Sequence, residues 1–519
     1  MDKPKITVEV VSTTPAKTSS DSKSMFRVLG KRKHKHTWAV VWCIYALWCT
    51  LANNYGKTTG SSVLGIPQFR HDFGDPFDGK YVLPAYWQAA YYGAPQAAAV
   101  MGAISVAWTA DKIGRRPALG LVLSFRILSI TLETVATTNP VFFGGRLVGG
   151  FSTGAVNTLC MTYIGEITPL RLRGILTAAA PIALILGSFS AAIMVAYTGD
   201  QSTRWAYRTA FISSYGFVAV ALIFLPFMPE SPWWLINQDQ NDRAIHALSR
   251  LGYVVDAEAR ASEIRRVLAK TKEETSGATY AECFQRSNLR RTVVSAMPLT
   301  IQTFSGVAFV ASYSTYYQQL AGYSTAASFR LFIAQQVLSG SGNVCSWFLV
   351  DRLGRRPLTF WGMIILTTLL MVTGGLAIAA TPGAIKGTIA LLLLYCFIYN
   401  ATIGATAFSI LTEIATPRLR AKTASISIAL QSSLFTMWGF VLPYLFNPNK
   451  ANLGAKVTFI FGGISVFSIG YLWYFQPESS GLSYEMLDEL FIKQVPARKF
   501  KSYALARTQD QDEKTRVRV

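Results

Sequence analysis

The stretch Asp111 to Pro117 reads DKIGRRP, and almost the same seven residues, DRLGRRP, return at Asp351 to Pro357. Other landmarks repeat in the same order. Glu166 and Arg173 are echoed by Glu413 and Arg420, and Pro229-Glu230-Ser231 by Pro477-Glu478-Ser479, with offsets of about 240 to 248 residues throughout. A period that long exceeds the roughly 20 to 50 residues of a solenoid unit. It matches six membrane helices of ~20 residues with short connections, duplicated.

Only 15% of the residues are charged and 51% are hydrophobic, with a mean hydropathy of +0.30. A soluble protein carries about 25% charged residues, so the composition is that of a membrane protein. The net charge of +21 would suit a nucleic-acid binder, but the basic residues lie in short turns between apolar runs and in the two tails. That is the positive-inside pattern. Five of the six cysteines (Cys43, Cys49, Cys160, Cys345 and Cys396) lie in apolar segments without disulfide or zinc spacing. His34 and His36 sit in a basic tail and are read as part of it. No metal, cofactor or nucleic acid is expected, and no nucleophile with a base or phosphate loop suggests an enzyme.

Residues 1 to 36 read as a disordered cytosolic tail. No apolar run follows the first few residues, so the first helix is expected to serve as the insertion signal. Apolar windows follow at about 39–64, 85–110, 117–137, 140–163, 175–198 and 206–228, in a first half spanning 37–230. A charged linker, 231–290, carries Arg243, Arg250, Arg265, Arg266 and Lys270 at helical spacing, which predicts short amphipathic helices under the bundle. Six more windows, at about 292–320, 327–350, 358–380, 386–412, 424–446 and 456–475, fill a second half, 291–476, before a tail at 477–519. The turns holding Arg115, Arg116, Arg173, Arg355, Arg356 and Arg420 all fall on the side of the tails. The expectation is an all-α membrane protein with twelve transmembrane helices in two halves, both termini cytosolic, lying in the plasma membrane as a monomer.

Two six-helix halves joined by a cytosolic segment resemble the major facilitator fold. The motifs make the resemblance sharper. Asp111 to Arg116 is similar to that superfamily's loop 2-3 signature, with Ala107 where a leading Gly is usual. Gly145-Arg146, then Glu166, Pro169, Arg173 and Gly174, then Pro229 to Pro232 with Trp233 and Trp234, are the marks of its sugar porter family. The closing PESSGLSYEMLDELF, VPARKF at Val495 to Phe500 and YSTYY at Tyr313 to Tyr317 resemble fungal α-glucoside and maltose permeases. The resemblance covers about residues 37–500.

The resemblance implies a carrier that works by alternating access, and it assigns the charges a role. Asp111, Glu166, Glu230, Asp351, Glu413 and Glu478 would pair with Arg115, Arg116, Arg173, Arg355, Arg356 and Arg420 while the cavity opens outward and part when it opens inward. Anchoring of the loops at the headgroups is the alternative reading of the same arginines. In the ligand site the resemblance implies Gln302 and Gln431 as surviving contacts. Four other family contacts are replaced, by Pro181, Thr303, Ala308 and Phe408. These losses suggest a different or larger ligand than a hexose, with Tyr313, Tyr316, Tyr317 and Phe408 offering aromatic faces or, alternatively, simply packing.

Proton-linked members of the family carry an acid near the end of helix 1, close to the arginine of helix 4, here Arg146. In this chain Asn54-Tyr55-Gly56 stands there, Lys57 follows, and no carboxylate occurs between residues 37 and 71. The chain is therefore either a facilitator or uses another membrane acid. Arg126 and Glu133, seven apart on one face of helix 3, are the candidates, and a structural pairing of Glu133 with a neighbouring helix or Arg146 is the other reading. Three functions stand at this point: a carrier of α-glucosides or related sugars, with protons as a second partner; a carrier of another polyhydroxylated compound or secondary metabolite; and a nutrient sensor that binds without transporting.

Overall fold

The computed structural model describes residues 37–77, 79–169, 172–253, 256–275, 279–379, 381–416, 418–480, 482, 484–500 and 503. Among these residues lie twelve long helices. The first six are α1 (Thr37–Ser62), α2 (Ala85–Ile113), α3 (Arg115–Val135), α4 (Asn139–Ile167), α5 (Arg173–Thr198) and α6 (Trp205–Phe224). The second six are α7 (Arg286–Leu320), α8 (Thr325–Leu353), α9 (Arg355–Ala379), α10 (Pro382–Ile414), α11 (Arg420–Phe446) and α12 (Thr458–Phe475). Eight of them, or the spans that contain them, are long and apolar enough to cross a membrane. The other four, α1, α2, α4 and α8, run 26 to 29 residues, or about 40 Å at 1.5 Å per residue.

The two halves pack by the same rule. α1 lies on α5 as α7 lies on α11, and α2 lies on α4 as α8 lies on α10. Across the halves α2 meets α11, and its counterpart α8 meets α5, as a duplicated unit facing its copy requires. Small residues allow the closest approaches, since lipid supplies no hydrophobic drive and backbone proximity must do the work. A methyl at Gly150 or Gly154 of α4 would overlap the backbone of Pro95 or Ala99 in α2, and one at Gly342 of α8 would overlap Phe397 O in α10.

Two helices are broken where the sequence showed unbroken apolar runs. α7 stops at Phe304 and restarts at Val307, with Gly306 at φ +90°. The Tyr395 hydroxyl donates to Ser305 O at 2.6 Å, satisfying a carbonyl that the break releases. α10 breaks at Thr402 (φ −120°, ψ −102°).

The linker forms the short helices Pro232–Asn237, Asn241–Arg250 and Ala257–Thr275. They hang on the bundle through Trp234 Nε1, which donates to Asp111 O at 2.9 Å, and Arg250 Nη2, which donates to Phe227 O at 2.6 Å. The C-terminal segment is not merely a tail up to residue 500. A helix at Tyr484–Ile492 docks on α7, where Asp488 pairs with Arg291 and Arg290 Nη2 donates to Val495 O at 2.8 Å. Leu487, Leu490 and Phe500 form a cluster within the segment, and Phe491 packs against Val294 of α7 with Ile410 and Ile414 of α10. Residues 1–36 lie outside the described residues.

Candidate functional site

The repeated DxxGRRP turns form two matched constructions at what we term the basic end. Gly114 (φ +96°) and Gly354 (φ +87°) turn the chain into α3 and α9. The first backbone N–H groups of those helices then meet a carboxylate. Arg115 N donates to Glu230 Oε1 at 2.8 Å and Arg116 N to Glu230 Oε2 at 3.1 Å. In the copy, Arg355 N and Arg356 N donate to Glu478 at 3.1 and 3.2 Å. A negative charge on otherwise unsatisfied donors at the positive end of a helix is stabilising. Each first arginine then binds a second carboxylate: Arg115 Nη2 to Glu166 Oε1 at 2.8 Å, and Arg355 Nη2 to Glu413 Oε1 at 3.1 Å. Asp111 and Asp351, both largely exposed, receive Arg115 and Arg355 at 3.1 and 3.8 Å. Arg420 opens α11 at the same end, and the side chain of Arg173 lies outside the described residues.

All of these pairs lie within one half or between a half and its own following segment. The bonds that join the two halves are at the opposite end. Arg70 Nη1 donates to Gln319 Oε1 at 2.8 Å, Gln319 Nε2 to Gly65 O at 2.6 Å, Asn447 Nδ2 to Leu83 O at 3.1 Å and Tyr92 OH to Ser312 O at 3.3 Å. The Tyr92 and Tyr313 rings meet at 4.8 Å, and the Arg70 guanidinium sits 5.5 Å from the Tyr316 ring centre. The expected parting of the basic-end pairs when the other end closes is therefore not what this state contains. With that end closed, the pairs are formed, because each braces helices of the same half.

Between the halves lies a cavity of about 420 Å³, within the usual range for small-molecule sites. The first half contributes Asn54, Lys57, Tyr92, Gln96, Arg126, Arg146 and Ser188, and the second Tyr313, Gln335, Gln336, Tyr399 and Asn400. Of the ligand residues expected from sequence, Tyr313 lines it, its hydroxyl buried and unpartnered. Gln302 and Gln431 do not line it. They turn on each other, Gln431 Nε2 donating to Gln302 Oε1 at 2.6 Å, while Gln302 Nε2 faces Ile403 O and Gly404 O at 3.4 and 3.5 Å across the α10 break. Tyr316 packs against Phe446 at the closed end, and Phe408, 50% exposed, lies outside the cavity wall. The polar pairs Gln335-Gln336 and Tyr399-Asn400, each inside an apolar run, were the signal that sequence reading passed over.

A charge cluster forms one wall. Arg126 (1% exposed), Glu133 (0%) and Arg146 (4%) are buried where α3 and α4 pass α1. Arg146 Nη1 reaches Glu133 Oε1 at 3.5 Å, the structural pairing that sequence reading held as one alternative. Arg126 and Arg146 line the cavity while Glu133 stands behind them. Four glycines make the room. A methyl at Gly56 would overlap Arg126 Nη2, one at Gly60 would overlap Arg146 Nη1, one at Gly145 would lie 2.9 Å from Glu133 Cγ, and one at Gly149 would lie 3.2 Å from Arg126 Nη1. Lys57, although protein surrounds it, extends its side chain into the cavity and is exposed there.

Comparison with known proteins agrees with this architecture. The profile of the family described as "Sugar (and other) transporter" matches residues 42–491. The chain belongs to that family. This transporter is 27% identical over 498 residues to the "General alpha-glucoside permease" of Saccharomyces cerevisiae, covering 93% of this chain and 80% of that one. To the "Maltose permease MAL31" of the same organism it is 27% identical over 475 residues, covering 89% and 77%. Among solved structures, the inward-open conformation of the xylose transporter XylE from E. coli superposes with a TM-score of 0.72 at 20% identity, over 87% of this chain and 99% of that one. A partially occluded inward-open form of XylE gives 0.70 at 19% identity, over 86% and 100%. The transporter is thus a multi-pass membrane protein with a major facilitator fold, and a carrier rather than an enzyme.

Proposed function

We propose that the transporter carries a polyhydroxylated small molecule of the sugar class across the plasma membrane as a monomer, with the basic end and both termini in the cytosol. α-Glucosides are the class named by its yeast relatives. The observation that carries this reading is the cavity of about 420 Å³ between two repeated halves whose mutual hydrogen bonds are gathered at one end. Breaking those bonds and forming others at the basic end would turn the cavity to the other face, which is alternating access. The halves, 37–230 and 291–476, act as the moving bodies, with 231–290 as their tether. Asp111, Arg115, Arg116, Glu166, Glu230 and their counterparts keep each body rigid while it moves. Tyr313, Gln336, Tyr399 and Asn400 from the second half, with Asn54, Tyr92 and Gln96 from the first, hold the ligand hydroxyls.

For coupling, the pairing of Glu133 with Arg146 and its place behind the cavity wall support facilitated transport. A second reading makes Glu133 a proton site, favoured by Glu133 Oε2, which is buried without a partner. Uptake of labelled maltose, with glucose and trehalose as competitors, in yeast stripped of its own sugar carriers tests the proposal. Saturable uptake that survives a protonophore supports the facilitator. Uptake that collapses with the protonophore, and loses that sensitivity in Glu133→Gln, establishes the proton site. No uptake of these neutral sugars by protein shown to reach the surface overturns carriage of α-glucosides.

A further inference from the structure

The cavity wall holds more positive charge than the protein itself neutralises. Lys57, Arg126 and Arg146 all border the cavity, and among the described residues no carboxylate does. Glu133 is the acid beside them, placed on the far side of Arg146 and facing it with one oxygen. Three cations therefore meet one carboxylate. Arg126 Nε and Nη2 and Arg146 Nε are buried without a hydrogen-bond partner.

Such an arrangement is costly in a membrane interior. Charges at membrane depth are expensive and are kept where they serve a pathway, and burying a cation without a partner is strongly unfavourable. A protein that needed only a brace between α1, α3 and α4 would match its charges or use apolar side chains. Here the reverse has been built. Gly56, Gly60 and Gly149 give up their side chains so that the guanidinium groups can lie against α1 and beside the cavity. Lys57, on the same stretch of α1, adds an ammonium exposed to the cavity.

We infer that the ligand is an anion, a polyhydroxylated carboxylate of the sugar-acid class, whose carboxylate is held by Lys57 and the guanidinium groups of Arg126 and Arg146. The inference rests on the proposal that this cavity is the transport site, and it narrows the ligand that the site takes. The two walls divide the work. The cationic first half takes the carboxylate, since charge-assisted hydrogen bonds are shorter and stronger than neutral ones. Tyr313, Gln336 and Asn400 on the second half are neutral and suit hydroxyls and a ring face. The volume of about 420 Å³ accommodates a sugar ring with a carboxylate, and is far larger than a bare inorganic anion requires. Binding such a ligand would also bridge the halves, so the charge that loads the cavity helps to close it.

The test is counterflow in proteoliposomes holding the purified full-length transporter, with labelled gluconate, glucuronate, glucose 6-phosphate and maltose compared on one preparation. Gluconate or glucuronate is expected to exchange with saturation and to respond to an imposed membrane potential. Lys57→Gln should raise its KM at least tenfold, while Lys57→Arg retains most of the affinity. Exchange of maltose with neither carboxylate carried nor competing would overturn the anion inference and leave carriage standing. Carriage of glucose 6-phosphate without the carboxylates would overturn the assignment of a carboxylate. Carboxylate exchange with an unchanged KM in Lys57→Gln would overturn the site, and exchange of nothing at all would overturn the proposed function with it.

Discussion

The guanidinium of Arg126 occupies the space that a side chain at Gly56 would fill. The position on α1 where the resemblance to proton-linked carriers implies an acid is filled here by the end of a cation reaching across from α3. The missing carboxylate and the buried arginine are one structural fact seen from two helices.

Gly56→Asp should therefore act differently from Gly56→Leu. The overlapping atom is the far end of a flexible side chain, so Arg126 can swing aside and pair with a new carboxylate. Gly56→Asp is expected to leave the melting temperature in detergent unchanged or higher, while uptake falls at least tenfold because a wall cation is neutralised. Gly56→Leu gives Arg126 no partner and should lower both. Thermal unfolding with surface-normalised uptake of the two variants checks this, and equal losses of stability would contradict it.

Glu230 and Glu478 cap α3 and α9 with the same pair of backbone contacts. Loss of such a cap costs about 0.5 to 2 kcal/mol, with charge pushing towards the upper end. Glu230→Gln and Glu478→Gln should each destabilise the transporter by about 1 to 2 kcal/mol, and by similar amounts. Detergent unfolding of the single variants measures it. A large effect at one site with none at the other would show that the repeated turns are not equivalent.

Arg70 ties the closed end by its bond to Gln319 and its place over Tyr316. A hydrogen bond from a charged group is worth about 1.5 to 3 kcal/mol, enough to shift a balanced two-state equilibrium roughly tenfold or more. Arg70→Ala should raise the alkylation rate of a cysteine placed at Ser61, which lines the cavity beneath this closure, by an impermeant reagent added outside. An unchanged rate would mean that the closure does not depend on Arg70.

Sequence repetition made the two DxxGRRP turns legible as copies of one construction, because each needs the same Gly and Arg where it enters a helix. Helical spacing marked Arg126 and Glu133 as buried charges on one face of α3. What it could not supply was the neighbour. Glu133 faces Arg146, since the partner of a side chain depends on how α3 meets α4 and not on spacing along α3. The breaks at Gly306 and Thr402 escaped for a related reason: a lone Gly or Thr in an apolar run does not reveal that Tyr395 waits to bond Ser305. Gln302 and Gln431, expected at the ligand, hydrogen-bond each other instead, and the cavity is lined by Lys57, Gln336 and Asn400.

Ligand protection of single cysteines tests the central claim, that the transported molecule occupies the cavity between the halves, most directly. Gln336 lines that cavity and Phe408 does not. The alkylation rates of Gln336→Cys and Phe408→Cys by a permeant maleimide, with and without the ligand that the uptake assays identify, decide the matter. The account predicts severalfold protection at position 336 and none at 408. Protection at 408 with none at 336 would place the ligand elsewhere and contradict it.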